Sequence, residues 1–373
     1  MVIDNYKGRI IGLDILRSFA IITVLYSHSL SLLPYIPQFL NELNFDGVIF
    51  FFVLSGYLIG SILIKMIIKN DINFKSLLNF WVRRWFRTLP MYFFVLLVSI
   101  LLFQKSLYDY KSYFLFIQNI NSPHPNFFNE AWSLAVEEWF YLITPIGMFL
   151  IAKYLSRYKM KLIPMFFGAI IIIVAFIRFH KSQLLINNVQ LWDIHLRKEV
   201  ITRLDSIMIG VIGAWILYFY LPFFKKNRKL LFFISLTCIL LLHFIIVNNE
   251  SIFFKKYSFF MNVVYFPFES FLILTLIPYL LSIKINKKSY LFKIITKISI
   301  FSYSMYLLNC TIVLKIIIPF ISKALIFMNG RTLIVTQFLL FWILTYVLSA
   351  LIYSFYELPM MNIRDTFKTN LNE

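Results

Sequence analysis

Residues 47–67 read GVIFFFVLSGYLIGSILIKMI, a run whose first eighteen residues are uncharged and whose single charge is Lys65. A helix crossing about 30 Å of hydrocarbon needs roughly 20 apolar residues, and this run supplies them. Strands of a membrane barrel are about half as long and alternate in polarity, so the run is too long and too uniform for one. The same test, worked outward, finds ten such runs at approximately 10–32, 47–67, 88–104, 133–152, 162–178, 204–222, 230–247, 260–282, 298–320 and 332–355. The expected fold class is all-α, a polytopic transmembrane helical bundle of about ten helices.

Composition agrees. The 373 residues are 60% hydrophobic, 19% aromatic and only 14% charged, whereas soluble domains carry about a quarter charged residues. Low charge and sparse Gly and Pro also exclude a disordered or collagen-like chain. No long polar tract interrupts the apolar runs, so residues 1–373 are expected to form a single membrane domain, with a core at 8–356 and no appended soluble domain. Cys238 and Cys310 both lie in apolar runs without ligand spacing, which favours packing roles over a disulfide framework or a zinc site. No metal is expected.

The formal net charge of +19 raises the question of nucleic acid. The basic residues, however, punctuate apolar segments instead of forming a patch on a soluble fold, so no nucleic-acid partner is expected. With Lys7 and Arg9 placed inside, alternate loops hold 23 Lys and Arg against 11 on the other side. The positive-inside rule then puts both termini in the cytoplasm. The first span is interrupted by Asp14, Arg17 and His28 and has no small-residue cleavage site, so it reads as retained and not as a signal peptide. The expected location is the cell (cytoplasmic) membrane, multi-pass, with membrane lipids around it. No repeat supports an inverted-repeat transporter.

Ionisable groups at membrane depth are costly and by default face a protein interior or wet cavity. The first group is Asp14, Arg17 and His28 in GLDILRSFAIITVLYSH, residues 12–28. Arg17 and His28 stand eleven residues apart, about three turns, which sets them on one face roughly 16 Å apart; Asp14 joins that face. The set reads either as a buried Asp14–Arg17 pair with His28 near an interface, or as a catalytic constellation with His28 as base or acyl carrier.

The second group is FWVRRWFRTLP, residues 80–90, where Arg83, Arg84 and Arg87 crowd one helix entrance. They are either interfacial anchors beside Trp81 and Trp85 or planar forks for the phosphates of an anionic donor. The third is NEAWSLAVEEWFYLITP, residues 129–145, in which Ser133, Glu137 and Tyr141 share a face and Glu138 points elsewhere. Glu137 suits orientation of a histidine, contact with a sugar hydroxyl, or pairing with Arg17. Among single residues, Glu269 could line a cavity and Asp205 is expected to pair with Arg203 or an outer-loop base; Lys315 and Glu357 stand alone. His124, His180, His195 and His243 read as solvated or satisfied histidines.

Taken together the chain resembles the acyltransferase 3 family of bacterial integral-membrane acyltransferases. Five ordered stretches carry the resemblance: GLDILRSFAIITVLYSH at 12–28, GVIFFFVLSGYLIGSIL at 47–63, FWVRRWFRTLPMYF at 80–93, WSLAVEEWFYLITP at 132–145 and ISIFSYSMYLLN at 298–309. It implies an O-acyltransferase of ten transmembrane helices that moves an acyl group, most commonly acetyl, from acetyl-CoA or another acyl-CoA to a hydroxyl of a surface glycan or lipid-linked saccharide acceptor. Within it, His28, Arg17, Glu137 and Asp14 would be catalytic, and Arg83, Arg84 and Arg87 would bind the donor. Trp132, Ser133 and Tyr141 would contact the acceptor. Arg17 would stabilise a developing oxyanion, with Glu137 or Asp14 fixing the imidazole. Two positions depart from the family pattern, which often has a polar residue where Ile49 stands and a histidine where Asn309 stands; both are expected to bear on acceptor choice. Some family members add an extracytoplasmic domain that passes the acyl group on. Here that step is expected from the chain itself or from a separate extracytoplasmic transfer partner. The alternative from another class is an exporter or flippase of a glycan or lipid, using the same charged residues along a translocation path.

Overall fold

The computed structural model describes residues 9–69, 72–183, 186–325 and 328–370. Among them all regular structure is helical. Lys7 and Gly8, the latter the first residue of the expected core, lie outside the described residues. The principal helices are α1 (Ile11–Ser29), α2 (Gly47–Ile68), α3 (Phe74–Leu102), α4 (Ala131–Tyr154), α5 (Lys159–Ser182), α6 (Leu204–Phe219), α7 (Leu221–Asn248), α8 (Tyr265–Leu280), α9 (Tyr290–Leu308) and α10 (Gly330–Ile352). Beyond α9 the helix widens into π geometry over Asn309–Ile317 before Ile318–Ala324 completes it.

Each expected span therefore contains a helix. Nine described helices are long and apolar enough to cross a membrane, while α6, with 16 residues, is shorter. At ~1.5 Å per residue α6 is about 24 Å long, and it can be short because it lies inside the bundle, with twelve of its residues buried. Small residues let it approach α2. A Cβ on Gly56 would sit 2.0 Å from the Ile207 carbonyl oxygen, and one on Gly210 would sit 2.3 Å from that of Val53. Without a hydrophobic drive between helices in lipid, such close backbone packing is a main source of association.

Three helices start well before their expected spans; α9 does so at Tyr290, where Ser289 accepts from Phe292 N at 3.1 Å. α3 begins at Phe74, not near residue 88, because Asn73 and Ser76 form a reciprocal capping box at 2.8 Å in each direction. The arginine-rich stretch is thus helix interior, not helix entrance. α7 starts at Leu221, with Pro222 in its first turn, and carries Lys225, Lys226, Arg228 and Lys229 within its first turns. The start of α1, with Arg17, adjoins Arg84 and Arg87 of α3, whereas His28 lies in the last turn of α1. These define an arginine end and a histidine end of the bundle.

Candidate active site

At the arginine end, Arg17, Arg84, Arg87, Thr88, Ser55 and Glu137 surround a cavity of about 250 Å³ with an otherwise largely apolar wall. Arg84 is held by α4. Its Nη2 lies 3.5 Å from Glu137 Oε2 and also donates to the Tyr141 hydroxyl, which itself donates to Glu137 Oε2 at 2.5 Å. Ser55 Oγ donates to the other Glu137 oxygen at 3.0 Å. Asp14, the second carboxylate nearby, is occupied mainly by Arg9 through contacts of 3.0 and 2.5 Å and by Ser299 at 2.6 Å. Arg17 is left with a 3.6 Å approach to Asp14 and a 3.3 Å hydrogen bond to Ser299 Oγ. Arg87 has no hydrogen bond or ion pair among the described residues. More guanidinium charge than carboxylate therefore faces the cavity, an electrostatic setting that favours an anion over a cation. Arg83, expected to join, is exposed and does not line it.

At the histidine end, a cavity of about 270 Å³ is lined by His28, Asp46, Glu130, Trp132, Arg197 and Tyr306, among others. His28 Nδ1 bonds Asn309 Oδ1 from the π segment. Neither Glu137 nor Asp14 reaches the ring. That corrects the expected orienting partner: both carboxylates are spent at the arginine end. Asp46 caps α2, accepting from Val48 N at 3.0 Å, and grips Arg197 bidentately at 2.8 and 2.9 Å. Arg197 also bonds Asp193 at 2.8 Å and stands 4.9 Å over the Trp132 ring. Lys198 completes the set through Asp193. Of the residues expected on the acceptor, Trp132 lines this cavity, Ser133 lines the arginine-end cavity, and Tyr141 belongs to the Arg84–Glu137 network.

Val48 and Tyr306 line both cavities. The Tyr306 hydroxyl bonds Ser133 Oγ at 2.6 Å and lies 3.3 Å from the Glu130 carbonyl oxygen. Val48 and Tyr306 thus form a septum shared by the space lined by Arg17 and Arg87 and the space lined by His28.

Burial by itself would raise the Asp46 carboxyl. The charge and hydrogen bonds of Arg197 outweigh it and hold the group down to about 2. Because that lies below the value of about 3.9 for a free aspartate, the pair stabilises the fold above pH 4, and the contribution is lost as pH falls through about 2. Asp46→Asn is accordingly expected to destabilise the protein by roughly 1–3 kcal/mol at neutral pH, with wild type and variant converging towards pH 2. Thermal unfolding in detergent across that range measures it; a gap that stays constant at pH 2.5 would refute the assignment.

Other expectations resolve structurally. Asp205 pairs with Arg178 at 2.7 Å, both side chains being fully buried, and not with Arg203, whose guanidinium stacks 3.8 Å from the Phe266 ring centroid. Glu269 is buried but lines neither cavity. Glu138, on its separate face, accepts from Thr88 at 3.1 Å. His243 lies 3.1 Å from the Glu42 carbonyl oxygen and stacks on Phe45, as a satisfied histidine should. Both cysteines are free. Sequence reasoning missed Asp46, Glu130 and Tyr306 and read Asn309 only as bearing on the acceptor; the signal available was an acid, Asp46, at a helix start and a polar Asn309 within an apolar run.

The polytopic helical bundle thus holds guanidinium groups in one cavity and an imidazole in the adjoining one. Residues 10–354 match the family model described as an acyltransferase domain, and the chain belongs to the acyltransferase 3 family. A Bacillus subtilis (strain 168) protein named "Putative peptidoglycan O-acetyltransferase YrhL" is 36% identical over 179 residues, covering 40% of this chain and 25% of its own. "O-acetyltransferase OatA" of Staphylococcus aureus (strain NCTC 8325 / PS 47) is 30% identical over 227 residues, covering 55% of this chain and 34% of its own. The chain thus matches a quarter to a third of the length of these relatives. No solved structure matches it.

Proposed function

We propose that the protein is a membrane O-acetyltransferase of cell-envelope carbohydrate, with both termini and the arginine end facing the cytoplasm of a bacterial inner membrane. Acyl-CoA, most often acetyl-CoA, binds from the cytoplasm with its phosphates on Arg17 and Arg87, and its thin arm carries the thioester towards the septum at Val48 and Tyr306. A hydroxyl of a surface glycan or lipid-linked saccharide approaches His28 from the other side. Transfer proceeds with His28 as base or as acyl carrier. As base, its ring takes the hydroxyl proton, the oxygen attacks the thioester carbonyl, the C–S bond breaks, and the departing thiolate takes the proton back. Arg17 belongs to the donor side of this arrangement, next to Arg87. Delivery to the final glycan is by this chain or by a separate extracytoplasmic transfer partner.

The observation that supports the reading is that two cavities, one lined by Arg17, Arg84 and Arg87 and the other by His28, share Val48 and Tyr306 in their walls. The family and the acetyltransferase names of its relatives support the same chemistry. Membranes from cells expressing the chain are expected to consume labelled acetyl-CoA and to place the label on an alkali-labile ester of envelope glycan. Membranes without the chain should show neither. Normal glycan export with no incorporated label would overturn the proposal in favour of an exporter.

A further inference from the structure

We infer that Asn309 is the positioning residue that sets the tautomer of His28, keeping the proton on Nδ1 and leaving the Nε2 lone pair for the reaction. The inference rests on the transferase reading above and adds the group that makes the imidazole competent.

The amide cannot be turned round. Asn309 is fully buried, and its Nδ2 donates to the backbone carbonyls of Met305 at 2.9 Å and Tyr306 at 2.7 Å. Carbonyl oxygens only accept, so the nitrogen must lie on that side and Oδ1 must face the ring. Oδ1 in turn only accepts, so the His28 Nδ1 that meets it carries the hydrogen. In a neutral imidazole the other nitrogen is then unprotonated. Nε2 makes no hydrogen bond among the described residues, and His28 lines the histidine-end cavity. The proton-accepting or nucleophilic atom is thus the one left accessible.

The placement of Asn309 is itself enforced. Where α9 gives way to π geometry, two backbone N–H groups lose their usual partners, and Glu130 from the start of α4 takes them: Cys310 N at 3.0 Å and Thr311 N at 2.7 Å, with Thr311 Oγ1 donating at 2.5 Å. π turns inside helices recur at functional sites. Here the clamp immediately follows Asn309 and fixes its register against α1.

The charged groups that face His28 from neighbouring elements are otherwise engaged. Asp46 holds Arg197, Asp193 holds Arg197 and Lys198, and Glu130 holds the π turn. Lys315, further along the π segment, acts on the ring through space. Among the described residues the hydrogen-bond partner of the imidazole is Asn309.

The test compares Asn309→Ala and Asn309→Asp with the parent in the membrane transfer assay, over a range of pH and donor concentration. Asn309→Ala is expected to lower kcat about 10- to 100-fold, the scale of losing an orienting partner, with the donor KM unchanged within about twofold. Asn309→Asp keeps an acceptor oxygen towards the ring but sets its second oxygen against the Met305 and Tyr306 carbonyls, to which Nδ2 donated, and its charge favours imidazolium. It is expected to keep activity within about tenfold of the parent and to move the acid limb of kcat/KM up by about one pH unit. A purely structural residue would not move that limb in Asn309→Asp. Parent-like kinetics in both variants, or equal losses with an unmoved limb, would overturn the inference. If Asn309→Ala fails to accumulate, the position of the acid limb in Asn309→Asp, which is independent of the amount of folded protein, still decides. An inactive parent would count against the transferase reading itself, which separates the two failures.

Discussion

His28→Ala is expected to lower acyl transfer by about 10³-fold while leaving donor affinity within about twofold of the parent. General acid–base catalysis contributes typically 10²–10⁴-fold, and no other described histidine lines the cavity that would have to substitute. The split between rate and affinity follows from the septum. His28 lines one cavity and the guanidiniums that would hold the donor line the other, so removing the ring leaves the anion site intact. The variant should also fold, because the side chain makes one hydrogen bond and the Asp46–Arg197 pair beside it does not depend on it. Initial rates with labelled acetyl-CoA, together with donor binding to the purified variant, measure both halves. A residual rate within tenfold of the parent would remove His28 from the chemistry; a parallel loss of donor binding would place it on the donor side. In an acid-quenched reaction without acceptor, label retained on the peptide containing His28 identifies the acyl-carrier route, and its absence identifies direct transfer.

The bundle was legible because hydropathy is a local signal. Each apolar run is contiguous, and membrane thickness supplies the ruler that reads it. The ends of α3 and α7 were not, since charges lower hydropathy without breaking a helix; a capping box at Asn73 and Ser76 and a proline in the first turn decide those starts. Spacing within one helix also read well. Glu137 and Tyr141 meet as their four-residue separation requires, and Arg17 and His28 open on cavities at opposite ends of α1, consistent with three turns between them. What connects the helices was out of reach. Asn309 is 281 residues from His28, and Arg197 is 151 from Asp46; no local period encodes such pairs. Asn309 was read as a departure bearing on the acceptor, whereas in the structure it touches the imidazole.

The three arginines of α3 should separate cleanly, because the structure gives them different work. Arg87 faces the cavity without an ion-pair partner among the described residues, so its truncation breaks no internal hydrogen bond or salt bridge. With charge-assisted hydrogen bonds worth about 1.5–3 kcal/mol, Arg87→Ala is expected to raise the donor KM by about 10- to 100-fold, with little change in kcat. Arg87→Lys keeps the charge but loses the planar fork and should fall between. Arg83→Ala should be silent, since that side chain is exposed away from the cavity. Arg84→Ala would instead leave Glu137 and Tyr141 without their cation, so it is expected to lower the amount of folded protein as well as activity. A donor analogue lacking one phosphate supplies the decisive cycle. If Arg87 holds that phosphate, removing the phosphate and removing the arginine will each weaken the donor, and removing both will cost little more than either alone. Additive losses would place the phosphate on another residue, and an unchanged KM in Arg87→Ala would mean that the surplus positive charge of this cavity does not serve the donor.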